Sequence, residues 1–105
     1  MGRAEDARGL DPRLRFEQSV ADLDEALRLE PGLVAALHKR SGSRLDLSAA
    51  RATRGLDPRP DLEAALADCD EVLRLEPDHP WAHVHRGNAR FRLAELIRIA
   101  GEDPR

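Results

Sequence analysis

Asp22–Pro31 reads Asp-Leu-Asp-Glu-Ala-Leu-Arg-Leu-Glu-Pro, and Asp68–Pro77, 46 residues on, reads Asp-Cys-Asp-Glu-Val-Leu-Arg-Leu-Glu-Pro. Arg8-Gly-Leu-Asp-Pro-Arg13 returns at the same offset as Arg54-Gly-Leu-Asp-Pro-Arg59, and a degraded copy, Gly101-Glu-Asp-Pro-Arg105, follows 46 residues further on. Sliding residues 8–59 onto 54–105 leaves 24 identities in 52 aligned pairs, far above chance. A chain that repeats at this spacing stacks copies of one supersecondary unit, because a single unit cannot bury its own apolar face. The 105 residues then form a single domain, with units at about 9–54 and 55–100 and a truncated third at 101–105.

The unit reads as a helical hairpin. In Leu14–Glu30 the apolar residues Phe16, Val20, Leu23 and Leu27 fall on one stripe, with Glu17, Asp24, Glu25 and Arg28 opposite. Asp11 is placed as N-cap with Pro12 at the first helical position, and Pro31 ends the helix. A second helix is expected from Leu33 to about Arg54, weakened in its middle by Ser41-Gly42-Ser43. Gly55 sits where a left-handed cap belongs, so Gly-Leu-Asp-Pro encodes stop, spacer, cap and start. The third helix, about Pro58/Asp61 to Glu76, repeats the first, and the fourth runs from about Pro80 to Ala100. The 46-residue period with such short turns leaves its extra length to the helices beginning near Leu33 and Pro80. Residues 1–8 and 101–105, lacking stacking partners, are expected to fray. The fold class is thus all-α, a short α-solenoid of four helices in antiparallel hairpins.

Composition agrees and narrows the function. Arg and Ala, 16 each, dominate with Leu and Glu, while aromatics are 3% and Tyr is absent, which suits soluble helices better than sheets. A formal charge of −3 gives no reason to expect nucleic-acid binding. There is no signal peptide and no apolar run of membrane length, and the lone Cys69 has no internal disulfide partner. A reducing, cytoplasmic setting with no membrane association is expected. One Lys against 16 Arg points to a GC-rich bacterial genome.

The repeat resembles the tetratricopeptide (TPR) family. The likeness is carried by Ala65-x3-Cys69-x2-Val72-x4-Pro77, by Ser19-x3-Leu23-x2-Ala26-x4-Pro31, and by His83-Val-His-Arg-Gly-Asn-Ala89 around a first-helix glycine. It covers nearly the whole chain. The departures are a period about 12 residues longer than the family's 34, arginines (Arg40, Arg86, Arg44, Arg90) where Leu or an aromatic is usual, and Ser41 in place of Gly in one unit. The resemblance implies a superhelix whose concave side, lined by first-type helices, binds a peptide or protein segment.

On that basis Trp81, Val84, Asn88 and Phe91, spaced along one face of the fourth helix, are either groove anchors or a packing face; His38 and Arg92 join them as groove candidates. The second constellation is a charge ladder: Arg40, Arg44, Arg86 and Arg90 on the first-type helices, and Asp22, Asp24, Asp68 and Asp70 on the second-type helices. It reads either as a clamp for acidic peptides or as ion pairs fixing the register between hairpins, since an Arg in an apolar slot needs a partner. The register reading predicts that Arg86→Ala costs a few kcal/mol, about 3 for a well-buried pair, and that Arg92, on another face, is nearly neutral.

Chemistry is sparse. His79, His83 and His85 cluster without a further ligand pattern, Cys69 fills an apolar slot, the acids recur with the repeat, and no catalytic motif is present. No enzyme activity, no cofactor and no metal are expected. The sequence supports a non-catalytic protein–protein interaction module, part of a longer array, whose partner it does not identify. The alternative is a self-associating repeat segment that forms an oligomer through its exposed ends.

Overall fold

The computed structural model describes residues 11–101, and the expectations for residues 1–8 and 102–105 lie outside them. Four helices follow one another: α1 (Arg13–Leu29), α2 (Val34–Thr53), α3 (Arg59–Leu75) and α4 (Pro80–Ile99), with no strand among the described residues. The fold is all-α. Each helix packs on the next in the chain, and α2 also touches α4, so α1/α2 and α3/α4 stack as successive hairpins. The extra length of the period lies in helix: α2 and α4 have 20 residues each against 17 for α1 and α3, and Leu47–Ala52 is helical throughout.

The turns explain the boundaries. Gly55 has φ 75°, its N–H meets the Ala52 carbonyl at 3.0 Å, and the Leu56 N–H meets the Arg51 carbonyl at 2.9 Å. That paired closure is a Schellman motif, and it needs a residue that accepts the left-handed region. Gly101 repeats the left-handed φ, at 76°, and its N–H meets the Arg98 carbonyl at 3.1 Å. At the other end of the turn the helices start one residue later than the sequence implied. Pro12 and Pro58 occupy the N-cap, and Asp11 and Asp57 accept the N–H of Arg13 and Arg59, each at 3.0 Å, from one position further back. The proline φ suits either position, and the Asp carboxylate reaches two residues on as readily as three. In α4 the cap is His79, whose Nδ1 accepts the Ala82 N–H.

The core has two apolar clusters. One joins Leu27, Ala36, Leu37, Val72 and Ala82 near the proline turns; the other joins Leu45, Leu62, Ala65 and Ala89 toward the glycine turn. Burial of Leu62 and Val72, both essentially complete, contributes roughly 1.5–3 kcal/mol each. Between the clusters lies a polar layer made by Ser41, Asp68 and Cys69, all buried.

Candidate functional site

The polar layer is held by two arginines. Asp68 is 3% exposed. Arg40 meets it in a bidentate fork, Nε to Oδ2 at 3.0 Å and Nη2 to Oδ1 at 2.7 Å, and Arg44 adds Nη1 to Oδ2 at 2.9 Å. The third nitrogen of Arg40 reaches back to Asp24 on α1 at 2.7 Å. Arg40 therefore ties α2 to the helix before it and the helix after it. Its pKa is raised, chiefly by the Asp68 hydrogen bond, so it is charged throughout.

The repeat reproduces half of this arrangement. Arg86 lies 3.6 Å from Asp70, as Arg40 lies beside Asp24, but Asp70 is exposed and the pair is looser. The other half has no counterpart: Arg90 and Asp22 are exposed and form no ion pair among the described residues. The weight that the sequence put on Arg86 thus belongs to Arg40 and Arg44, because a buried Asp68 stands only beside them. Arg92 is also corrected. Its Nη1 donates to the Leu45 carbonyl and to Ser48 Oγ, both at 3.2 Å, so it bridges α4 to α2 and does not face a groove alone.

His38, His79 and His85 come together between α2 and α4. The rings of His38 and His85 stack at 4.8 Å with 13° between planes, and His79 lies 5.2 Å from His38. Ser41 donates to the His38 carbonyl at 2.7 Å, which leaves its oxygen to accept from Nδ1–H of His85 at 2.8 Å. Burial lowers the pKa of both His38 and His85, and His38 Nδ1 is buried without a hydrogen-bond partner. His83, grouped with His79 and His85 in the sequence, stands apart: its Nε2 donates to the Pro77 carbonyl at 3.0 Å on the surface. Burial pushes the Cys69 thiol up, which keeps it protonated and a poor nucleophile. Among the described residues no group of three side chains is placed to hold a metal ion.

Beside the imidazoles, α1 and α2 open into a cleft of about 500 Å³. Phe16 and Ser19 of α1 face Lys39, Gly42, Ser43 and Asp46 of α2 across it. Arg15, His38 and His85 also line it, and the Ser19 and Ser43 hydroxyls meet at 2.8 Å. A side chain entering here finds an aromatic wall, two hydroxyls and charges of both signs. The sequence assigned Phe16 to the core stripe, and it is only half-buried. The missed signal was in the repeat: Phe16, Ser19 and Ser43 stand 46 residues before Leu62, Ala65 and Ala89, which hold Leu45 in the second core cluster.

The proposed anchor face of α4 is open. Trp81 is 60% exposed, Val84 54% and Phe91 65%, and Asn88 is exposed with them. Of the four, only Phe91 borders a cavity, about 340 Å³ in volume and walled also by Ser48, Ala52, Pro58 and Leu96. Neither helix neighbouring α4 covers this face. No described helix is long and apolar enough to cross a membrane. In comparison with known proteins, the chain matches no family model, no curated protein and no solved structure.

Proposed function

We propose that the chain is a non-catalytic protein–protein interaction module of the tetratricopeptide kind, working in a reducing compartment, and that its cleft between α1 and α2 receives a side chain of a protein partner. The observation that carries this reading is the cleft itself: about 500 Å³, open to solvent, built on two rigid helices, and lined by the residues whose repeat equivalents already hold an apolar side chain. An aromatic wall with mixed charge around it suits a protein segment better than a nucleic acid or a lipid surface. The polar layer of Arg40, Arg44 and Asp68 serves the scaffold in this reading, since each arginine is already occupied by an acid of its own chain.

The test is a selection of displayed peptides on the immobilised chain, followed by titration against Phe16→Asp and Ser43→Arg. Peptides that bind the parent and lose affinity for both variants support the cleft. Recovery of no peptide, or of peptides indifferent to both substitutions, overturns it.

A further inference from the structure

The repeat places a knob on α4 and its matching hole on α1/α2. Leu45 is 6% exposed and packs with Leu62, Ala65 and Ala89. Adding 46 to Leu45 gives Phe91, which is 65% exposed; subtracting 46 from its three partners gives Phe16, Ser19 and Ser43, which line the open cleft. The same contact is made once inside the chain, and its two halves are left open, on α4 and on α1/α2, among the described residues.

The charges follow the same arithmetic. Inside the chain Arg44 holds Asp68 at 2.9 Å. The equivalent of Arg44 is Arg90 and that of Asp68 is Asp22, both exposed and both without an ion-pair partner among the described residues. Three other buried residues of α2, Leu37, Ser41 and Ser48, become His83, Gly87 and Ala94, all exposed on α4 and, in Gly87 and Ala94, small enough for a helix to approach. Two rungs are not repeated: the Arg51–Asp61 pair maps onto Ile97 and Arg15, and Leu37, in the first core cluster with Val72, maps onto His83.

We propose that the partner which fills the cleft is a second copy of this chain, stacked head to tail by the repeat operation, with Phe91 of one copy seated against Phe16, Ser19 and Ser43 of the next. This rests on the reading of the cleft as a protein-binding site. Arg86 and Arg90 then flank Asp22 of the incoming copy as Arg40 and Arg44 flank Asp68. The contact joins two different surfaces, so it is heterologous, and each added copy presents a fresh Phe91. Assembly grows as an open superhelical chain unless the rotation closes it into a ring.

Sedimentation of the full chain across a wide concentration series reads this directly. The parent is expected to increase in mass without a plateau at the dimer. Phe91→Asp removes the knob and Asp22→Arg the receiving charge; both positions are exposed, so both variants keep the helical signal and melting behaviour of the parent. Each alone associates about thirtyfold more weakly or worse. Mixed in equal amounts they form a dimer and nothing larger, because the intact knob of the Asp22→Arg copy fits the intact hole of the Phe91→Asp copy, and both remaining ends are blocked. A parent that stays monomeric, variants that associate like the parent, or a mixture that stays monomeric overturns the proposal. If the parent is monomeric but still captures peptides through Phe16, the interaction module stands and only self-association fails. If Phe16→Asp is silent in both assays, both readings fail.

Discussion

Arg40 and Asp68 form a bidentate pair across the α2/α3 interface, with nitrogen–oxygen distances of 3.0 and 2.7 Å around a carboxylate that is almost wholly buried. Such a pair is retained because its removal is worse than its absence: one partner deleted leaves the other desolvated and unpaired. Asp68→Ala leaves Arg40 with Asp24 alone and Arg44 with only a distant Asp24 at 3.9 Å, and Arg40→Ala leaves Asp68 to Arg44 alone. We expect each to lower the free energy of unfolding by roughly 2–4 kcal/mol. Arg90→Ala, on the exposed equivalent position, should leave a dilute sample unchanged. Urea unfolding of the three variants decides it; equal midpoints for Arg40→Ala and Arg90→Ala would remove the ladder from the account of stability.

Arg92 gives a smaller and opposite surprise. Its guanidinium donates to the Leu45 carbonyl and to Ser48 Oγ, but Ser48 already donates to that same carbonyl at 2.6 Å. Truncation therefore removes a bridge without orphaning the carbonyl. Arg92→Ala should cost about 1 kcal/mol, between the loss for Arg40→Ala and that for Arg90→Ala. A value matching Arg90→Ala would mean that the α4–α2 bridge contributes nothing.

The helices, their lengths and their turns were legible in the sequence because they rest on local rules: Gly55 in a left-handed cap, prolines at the ends, apolar residues at helical spacing. Pairing of the arginines with acids of a neighbouring helix was one of two readings that the duplicated charges offered; that Arg40 holds both Asp24 and Asp68 was not legible. What was not legible was which copy of a duplicated residue is inside. Arg44 and Arg90, or Leu45 and Phe91, hold equivalent places in the repeat, and among the described residues only the first of each pair has a following helix over it. Arg92 was misplaced for a related reason: its repeat equivalent is Asp46, so the repeat gives no hint that it reaches back to α2. The stack of His38, His79 and His85 is likewise a contact between successive hairpins that neither helix announces alone.

Two glycines make the same substitution act in opposite directions. Gly55 has φ 75°, where a Cβ is strained, and its Schellman closure fixes the α2–α3 turn. Gly55→Ala should destabilise by about 1 kcal/mol. Gly42 lies inside α2, and a Cβ there would meet only the His85 ring, at an ordinary 3.5 Å. Gly42→Ala should raise stability by up to about 1 kcal/mol through helix propensity. Thermal melts of the pair should move apart; a fall in both would mean that His85 cannot tolerate the methyl group.

The last expectation concerns acid. His38 and His85 both have pKa values below the ordinary 6.5, first because burial disfavours the imidazolium. For His38 the neighbouring rings of His85 and His79 and then the Lys39 ammonium add to the effect; for His85 the Asp46 carboxylate opposes it and His79 adds to it. On α3 the Cys69 thiol is kept protonated by burial and adds no charge. A histidine whose folded pKa is depressed binds fewer protons folded than unfolded. Its contribution to stability is intact above 6.5, and it is lost progressively as the pH falls from there toward the folded value, since the unfolded chain takes up the proton first. Stability should therefore decline between about pH 7 and pH 5, before most carboxylates titrate. In His38→Gln the decline should be shallower, because one of the two resisting groups is gone while its volume is largely kept. Denaturant midpoints for parent and variant across that range measure the difference. Parallel curves would mean that His38 takes up its proton as readily folded as unfolded, and that the stack is no obstacle to charge.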